Sequence, residues 1–237
     1  MKLLLLSNST NHGAHFFSHA RDKIARFLNK KVDSILFIPY AVVSVSFDEY
    51  ESKVKEVFDE LGYQVSSIHH AENPAEAVKE AECIMVGGGN TFHLLNHCYQ
   101  AEILELVRKK VNEGTPYIGW SAGSNLACPT IKTTNDMPVI EPPSFEALNL
   151  VPFQINAHYT EGVVPNHGGE SRDQRLEEFV MVNRTQYVVG LPEGTSLQII
   201  DQEIRLIGNQ PVKVFKYGLE PKNFNEDQQL DFLWGNI

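Results

Sequence analysis

At 237 residues, with 42% hydrophobic and 21% charged residues, the chain has the length for one large domain with a buried core and the composition of a soluble globular protein. Its formal net charge of −10 excludes nucleic acid or an anionic membrane as the main partner, since neither would meet a basic footprint. Cys83, Cys98 and Cys128 show no C-x-x-C spacing, "MKLLLLSNST" has too short an apolar run for a signal peptide, and no stretch approaches the ~20 apolar residues of a membrane span, so a cytoplasmic setting is expected.

In chain order, "LLLLSN" (3–8) reads as a buried strand ending in loop residues. Residues 15–29 place Phe16, Phe17, Ala20, Ile24, Phe27 and Leu28 at helical spacing. "SILFIPYA" (34–41) is a second strand, stopped by Pro39. Residues 47–61 form an amphipathic helix ending before Gly62, and "YQVSSI" (63–68) is a third strand. "NPAEAVKEA" (73–81) is a short helix with Pro74 in its first turn. "CIMVGGGN" (83–90) is a strand feeding a glycine loop, and from Thr91 to Gly114 the pattern reads as continuing helix. "PYIGW" (116–120) is the fifth strand.

Later, residues 150–160 read as a strand, 171–182 as a helix, and 186–218 as short β-rich runs separated by turns. Apolar strands alternating with amphipathic helices imply an α/β fold: an open, mostly parallel sheet with helices on both faces, and extra β-strands in the C-terminal third. No linker or repeat divides the chain, so one catalytic domain over residues 1–237 is expected. The tail from residue 219 onward has no functional reading.

In such a sheet, ligands bind beyond the carboxyl ends of the strands. Two features fall there. One is Gly87-Gly88-Gly89-Asn90; the other is Ser121 in Gly119-Trp120-Ser121-Ala122-Gly123, which fits G-x-S-x-G. A serine on a sharp strand-to-helix turn projects its hydroxyl above the sheet. The N–H of Ala122, with one from Gly88 or Gly89, would then face a developing oxyanion. Asn90 ends the same loop and is grouped with the substrate.

A serine nucleophile needs a base, usually histidine, oriented by a carboxylate. Of nine histidines, His158 follows an apolar strand at another sheet end and is the best candidate. His12, His15, His19, His69 and His70 read as surface or packing histidines. His93 and His97 lie four apart on a helix but lack a third ligand, so no metal is expected, and no cofactor. The orienting acid is open between Glu193 in "GLPEGT" and Asp136 in "TTNDMP".

Taken together, "LLLLSNST", "VGGGNTF", "IGWSAGSNLACPTIKTTNDMP", "QINAHYT" and "GLPEGT" resemble the peptidase E family over residues 1 to about 217. These are cytosolic α-aspartyl dipeptidases with a fold akin to class I glutamine amidotransferases, themselves flavodoxin-like. The resemblance implies a serine peptidase cleaving Asp-Xaa dipeptides, with Ser121 as nucleophile and His158 as base. It matches both Glu193 and Asp136 to proposed acids, leaning to Glu193 in the triad and Asp136 in the site or at the substrate amino group. An aspartyl substrate calls for a cation, and Arg172 and Arg175 are the candidates.

Two other readings compete: a cyanophycinase-like serine peptidase acting on β-linked aspartyl substrates, and a non-catalytic flavodoxin-like binding module. A glutamine amidotransferase is disfavoured because Ser121 stands where that class has cysteine. The expected partner is a small peptide, with no nucleic acid or membrane, and the chain is expected to be a monomer or small homo-oligomer.

Overall fold

A computed structural model describes residues 1–162 and 168–235. Five strands run parallel at the centre: β1 (Lys2–Leu6), β2 (Ser34–Ile38), β3 (Gln64–Ser67), β4 (Ile84–Val86) and β5 (Tyr117–Trp120). Antiparallel β8 (Ser196–Ile200) and β9 (Glu203–Ile207) extend the sheet to the order β3-β2-β4-β5-β1-β8-β9. A second sheet has the order β11-β10-β7-β6, built from β6 (Gln154–Tyr159), β7 (Tyr187–Pro192), β10 (Val212–Lys216) and β11 (Leu219–Phe224). Its β6 and β7 run parallel, and its other pairs are antiparallel.

Both faces of β1, β2, β4 and β5 are buried, which is why these strands read as apolar runs, whereas the edge strands β3 and β9 alternate exposed and buried residues. In β1, Leu4 and Leu6 face a core shared with Ile24, Phe37, Val54, Phe58 and Trp120. This is the side of α1 (Arg21–Leu28) and α2 (Phe47–Glu60). Leu3 and Leu5 face the other core, which holds α3 (Pro74–Glu80), α4 (Thr91–Gln100), α5 (Leu104–Asn112) and α6 (Ala122–Leu126). The second sheet joins this core through Ile155, Val189, Leu191, Val212 and Val214. Its outer face carries α7 (Arg172–Val182), packed through Leu176 and Val180 on Val188 and Phe215.

Local chemistry explains several boundaries. Helix α2 starts at a capping box, in which the Glu49 N–H donates to Ser46 Oγ at 3.2 Å and the Ser46 N–H to Glu49 Oε2 at 2.9 Å. Asn73 caps α3, with proline in the first turn as expected. Two expectations need correction. The helix expected over 15–29 begins only at Arg21, because Phe17 adopts φ 58° and its N–H turns back to the Ser9 carbonyl at 2.6 Å. The helix expected to run on from Thr91 breaks into α4 and α5 at Glu102, where φ is 53°. Among the described residues, no helix is long and apolar enough to cross a membrane.

Candidate active site

Ser121 forms the junction between β5 and α6, with φ 52° and ψ −111°. That backbone is costly for a residue with a Cβ, on the order of 1–3 kcal/mol, and persists only where its surroundings fix it. The fixing contacts are explicit. The Ser121 N–H donates to the Leu6 carbonyl at 3.1 Å, and the Ser121 carbonyl accepts from the N–H groups of Ser124 and Asn125, each at 3.0 Å. Gly123 lets α6 start this close to the sheet, since a Cβ there would stand 2.2 Å from the Val86 carbonyl oxygen.

His158 lies in β6 at a register shift against β7, with φ 54°. The bulge turns its ring out of the ladder toward Ser121. Its backbone N–H donates to Ser7 Oγ at 2.9 Å, and that hydroxyl donates onward to the Leu191 carbonyl at 2.8 Å. Strands β1, β6 and β7 are thereby tied beneath the imidazole. Glu193 follows directly after β7, in a turn whose Gly194 N–H donates to Asn8 Oδ1 at 2.8 Å.

The side chains form one line. Glu193 Oε1 lies 2.7 Å from His158 Nδ1, and His158 Nε2 lies 2.9 Å from Ser121 Oγ. With Nδ1 protonated toward the carboxylate, Nε2 offers its lone pair to the serine hydroxyl, the tautomer that general-base chemistry needs. Asp136 stands elsewhere. Its Oδ2 accepts from the Thr91 N–H at 2.7 Å, Thr91 Oγ1 at 2.5 Å and Thr134 Oγ1 at 2.9 Å, so it caps the start of α4.

A model of peptidase family S51 matches residues 3–207. The chain belongs to that family. Members named Peptidase E from Nostoc sp. and Salmonella paratyphi A are similar to it at 55% identity over 98% of this chain and 96% of theirs, and at 48% over 93% and 96%. The crystal structure of a peptidase from an acI-B1 Actinobacterium shares the fold, with a TM-score of 0.69 at 17% identity over 97% of this chain and 96% of that one. This S51 peptidase is therefore a serine peptidase, and peptides are its substrates.

The glycine loop of the S51 peptidase backs onto its serine. A Cβ at Gly88 would stand 3.0 Å from Ser121 Cβ. Tyr50 fixes the loop: its hydroxyl donates to the Gly88 carbonyl at 3.1 Å and accepts from Trp120 Nε1 at 2.9 Å. Because a trans peptide holds C=O and N–H opposed, the Gly89 N–H points away from Tyr50. Gly89 itself has φ 141° and passes so near Ala41 that a Cβ would sit 2.3 Å from that carbonyl oxygen. Among the described residues, the N–H groups of Gly88, Gly89 and Ala122 have no hydrogen-bond acceptor. Ala122 follows Ser121 at the start of α6, and Gly88 and Gly89 lie beside the serine.

A cavity of about 670 Å³ opens over Ser121, His158 and Asp136. Glu49, Tyr50 and Lys53 of α2 line one wall, with Gly88 and Gly89 beside them. The sequence reading missed Glu49 and Lys53, which look like ordinary solvated helix residues by spacing. They reach the site because the first half of α2 lies against the glycine loop, where Tyr50 bonds Gly88. Lys53 Nζ lies 4.6 Å from the Phe16 ring centroid, in cation–π range.

Three expected substrate contacts do not line this cavity. Asn90 is the N-cap of α4, accepting from the His93 N–H at 3.1 Å and donating to the Met137 carbonyl at 2.7 Å. Arg172 donates to Asn135 Oδ1, next to Asp136, and burial followed by the charge of Arg175 lowers its pKa. Arg175 is exposed and lies 3.8 Å from Glu170.

Proposed function

We propose that this serine peptidase is a cytoplasmic dipeptidase, a single catalytic unit that hydrolyses Asp-Xaa with Ser121, His158 and Glu193 as its triad. The observation that carries the triad is the unbroken Glu193–His158–Ser121 line of hydrogen bonds, at 2.7 and 2.9 Å. Supporting the substrate are the relatives named Peptidase E and a cavity that pairs a lysine with two carboxylates.

In this reading Ser121 Oγ attacks the scissile carbonyl carbon while His158 Nε2 takes its proton. The oxyanion is received by the N–H of Ala122 and that of Gly88 or Gly89, each such donor being worth roughly 10²–10³ in rate. Collapse expels the amine of Xaa, which takes the proton back from His158 and leaves an aspartyl ester on Ser121. Water, activated by the same imidazole, then frees aspartate. Glu193 holds the ring and stabilises the imidazolium.

The substrate's α-ammonium group meets Asp136 and Glu49. Its side-chain carboxylate meets Lys53. The cytoplasmic assignment rests on Cys83, Cys98 and Cys128, which are buried and unbridged.

Specificity is tested by measuring kcat/KM for Asp-Leu, Glu-Leu, Ala-Leu, N-blocked Asp-Leu and a β-linked aspartyl dipeptide. Hydrolysis of Asp-Leu, with the other four at least about 10²-fold slower, is expected because each of them lacks, masks or misplaces a charge that Asp136, Glu49 or Lys53 would meet. Equal turnover of Ala-Leu would refute the charge-based reading. Preference for the β-linked substrate would replace it with the cyanophycinase-like one.

A further inference from the structure

On the face of α2 turned away from the cavity, four side chains converge. Asp48 and Glu51 come from one turn of the helix, and His69 and His70 from the 3-10 turn Ile68–His70 that follows edge strand β3. Asp48 Oδ1 lies 2.9 Å from His69 Nε2 and 3.2 Å from His70 Nε2, and Glu51 Oε2 lies 2.9 Å from His70 Nε2. The four donor atoms all fall within 4.8 Å of one another. We propose that Asp48, Glu51, His69 and His70 bind a divalent transition-metal ion of the zinc class. The sequence reading expected no metal and took both histidines for surface or packing residues.

The geometry suits a small four-coordinate ion. Bonds of about 2.0–2.2 Å in a tetrahedron put donor atoms roughly 3.3–3.6 Å apart. An ion at the centre therefore needs the close pairs to open by roughly 0.1–0.7 Å and any pair near 4.8 Å to close by about 1.2–1.5 Å, movements open to the exposed Asp48 and His70 side chains. Two imidazoles with two carboxylates favour Zn²⁺, Ni²⁺ or Cu²⁺ over Mg²⁺ or Ca²⁺, which take oxygen ligands. Two carboxylates also balance the ion's charge.

The outer contacts have the polarity of a ligated site. His69 Nδ1 lies 2.6 Å from Ser67 Oγ, and Ser67 Oγ lies 3.4 Å from the Phe37 carbonyl. With Nε2 on a metal, Nδ1 carries the proton and donates to Ser67 Oγ, whose own proton goes to the Phe37 carbonyl. This is the orienting bond that metal-bound histidines make. Glu51 is held likewise: Lys55 Nζ grips Oε1 at 2.8 Å and leaves Oε2 free for the ion.

Burial divides the ligands into a fixed pair and an open pair. The side chains of Glu51 and His69 are 6% and 14% exposed, those of Asp48 and His70 72% and 56%. An ion thus enters past Asp48 and His70 and seats on the inner pair. Once bound, it ties the end of edge strand β3 to the first half of α2, the helix whose other side carries Glu49, Tyr50 and Lys53 into the cavity. The ligands do not line that cavity, so the ion buttresses its wall and does not enter the proposed hydrolysis.

The test is equilibrium dialysis of the chelator-treated full chain against Zn²⁺ near neutral pH, with melting temperature followed in parallel. One Zn²⁺ per chain is expected, with a melting temperature that rises with Zn²⁺ concentration. His70→Gln, an exposed change that leaves the core intact, is expected to weaken binding at least tenfold and abolish the thermal shift. Glu51→Gln is expected to do the same. A control variant, His93→Gln with His97→Gln, is expected to bind as the wild type does. The proposal is overturned if wild type binds no Zn²⁺, if His70→Gln binds it equally well, or if the control variant loses it. In the first case the four residues are a hydrogen-bonded histidine–carboxylate cluster only.

Discussion

Ser121 and His158, the two residues assigned to the chemistry, both sit at positive φ, at 52° and 54°. Neither is glycine, so each site stores strain that neighbouring hydrogen bonds to Leu6 and Ser7 must offset. In return, each side chain is aimed off its element toward the other. The proposed acid follows from distance: Glu193 lies 2.7 Å from the imidazole, while Asp136 accepts from Thr91 and Thr134. Glu193→Gln is therefore expected to lower kcat for Asp-Leu by about 10²–10⁴, because the amide no longer holds the right tautomer. Asp136→Asn is expected to raise KM while keeping kcat within about tenfold. Similar kcat losses in the two variants, measured side by side, would contradict the assignment. Ser121 was legible in its G-x-S-x-G turn and His158 by its place after an apolar strand, whereas Glu193 and Asp136 stood out only through the resemblance to peptidase E. The choice between the acids was not legible, since it depends on which loop the fold of the second sheet carries back to β6.

At the scale of elements, the elbow works only because α6 starts almost in contact with β4. Gly123 makes that possible, and Gly123→Ala would push a methyl group into the Val86 carbonyl. Overpacking of this kind costs about 1–3 kcal/mol, or roughly 2–12 °C in melting temperature for a chain this size. The expected result is a lower melting temperature together with reduced activity, since Ser121 rides on the same turn. A variant that melts and turns over like wild type would show that the helix start can yield. The parallel strands were legible here because β1, β2, β4 and β5 are apolar on both faces. The breaks at Phe17 and Glu102 were not, because positive φ at a phenylalanine or a glutamate follows from tertiary packing and leaves no turn residue in the sequence.

At the scale of the whole molecule, the C-terminal third does two things. It extends the main sheet by β8 and β9, and it builds the second sheet that supplies His158 and positions Glu193. Its runs were visible as β-rich, yet their division between two sheets depends on pairings across the whole chain, such as β1 with β8. The same long-range packing buries histidines. Burial, then the charge of Lys23, lowers the pKa of His19, and burial, then His93, lowers that of His97. Each is held below its ordinary 6.5, so the unfolded chain takes up the proton first as pH falls. Stability is therefore full above that value and declines as pH drops through it toward the folded pKa. Denaturant unfolding at about pH 7.5 and 5.5, a window above most carboxylate titration, is expected to show a less stable protein at the lower pH. The gap should narrow in His97→Gln, and an unchanged gap would remove His97 from the explanation.

The claim on which the rest depends is that Ser121 is the nucleophile of an aspartyl dipeptidase. It is tested most directly by measuring kcat/KM for Asp-Leu in wild type and in Ser121→Ala, a substitution that removes one oxygen and leaves the elbow its Cβ. A fall of at least about 10³-fold, with an unchanged melting profile, is predicted. A Ser121→Ala variant that hydrolyses Asp-Leu within tenfold of wild type would contradict it.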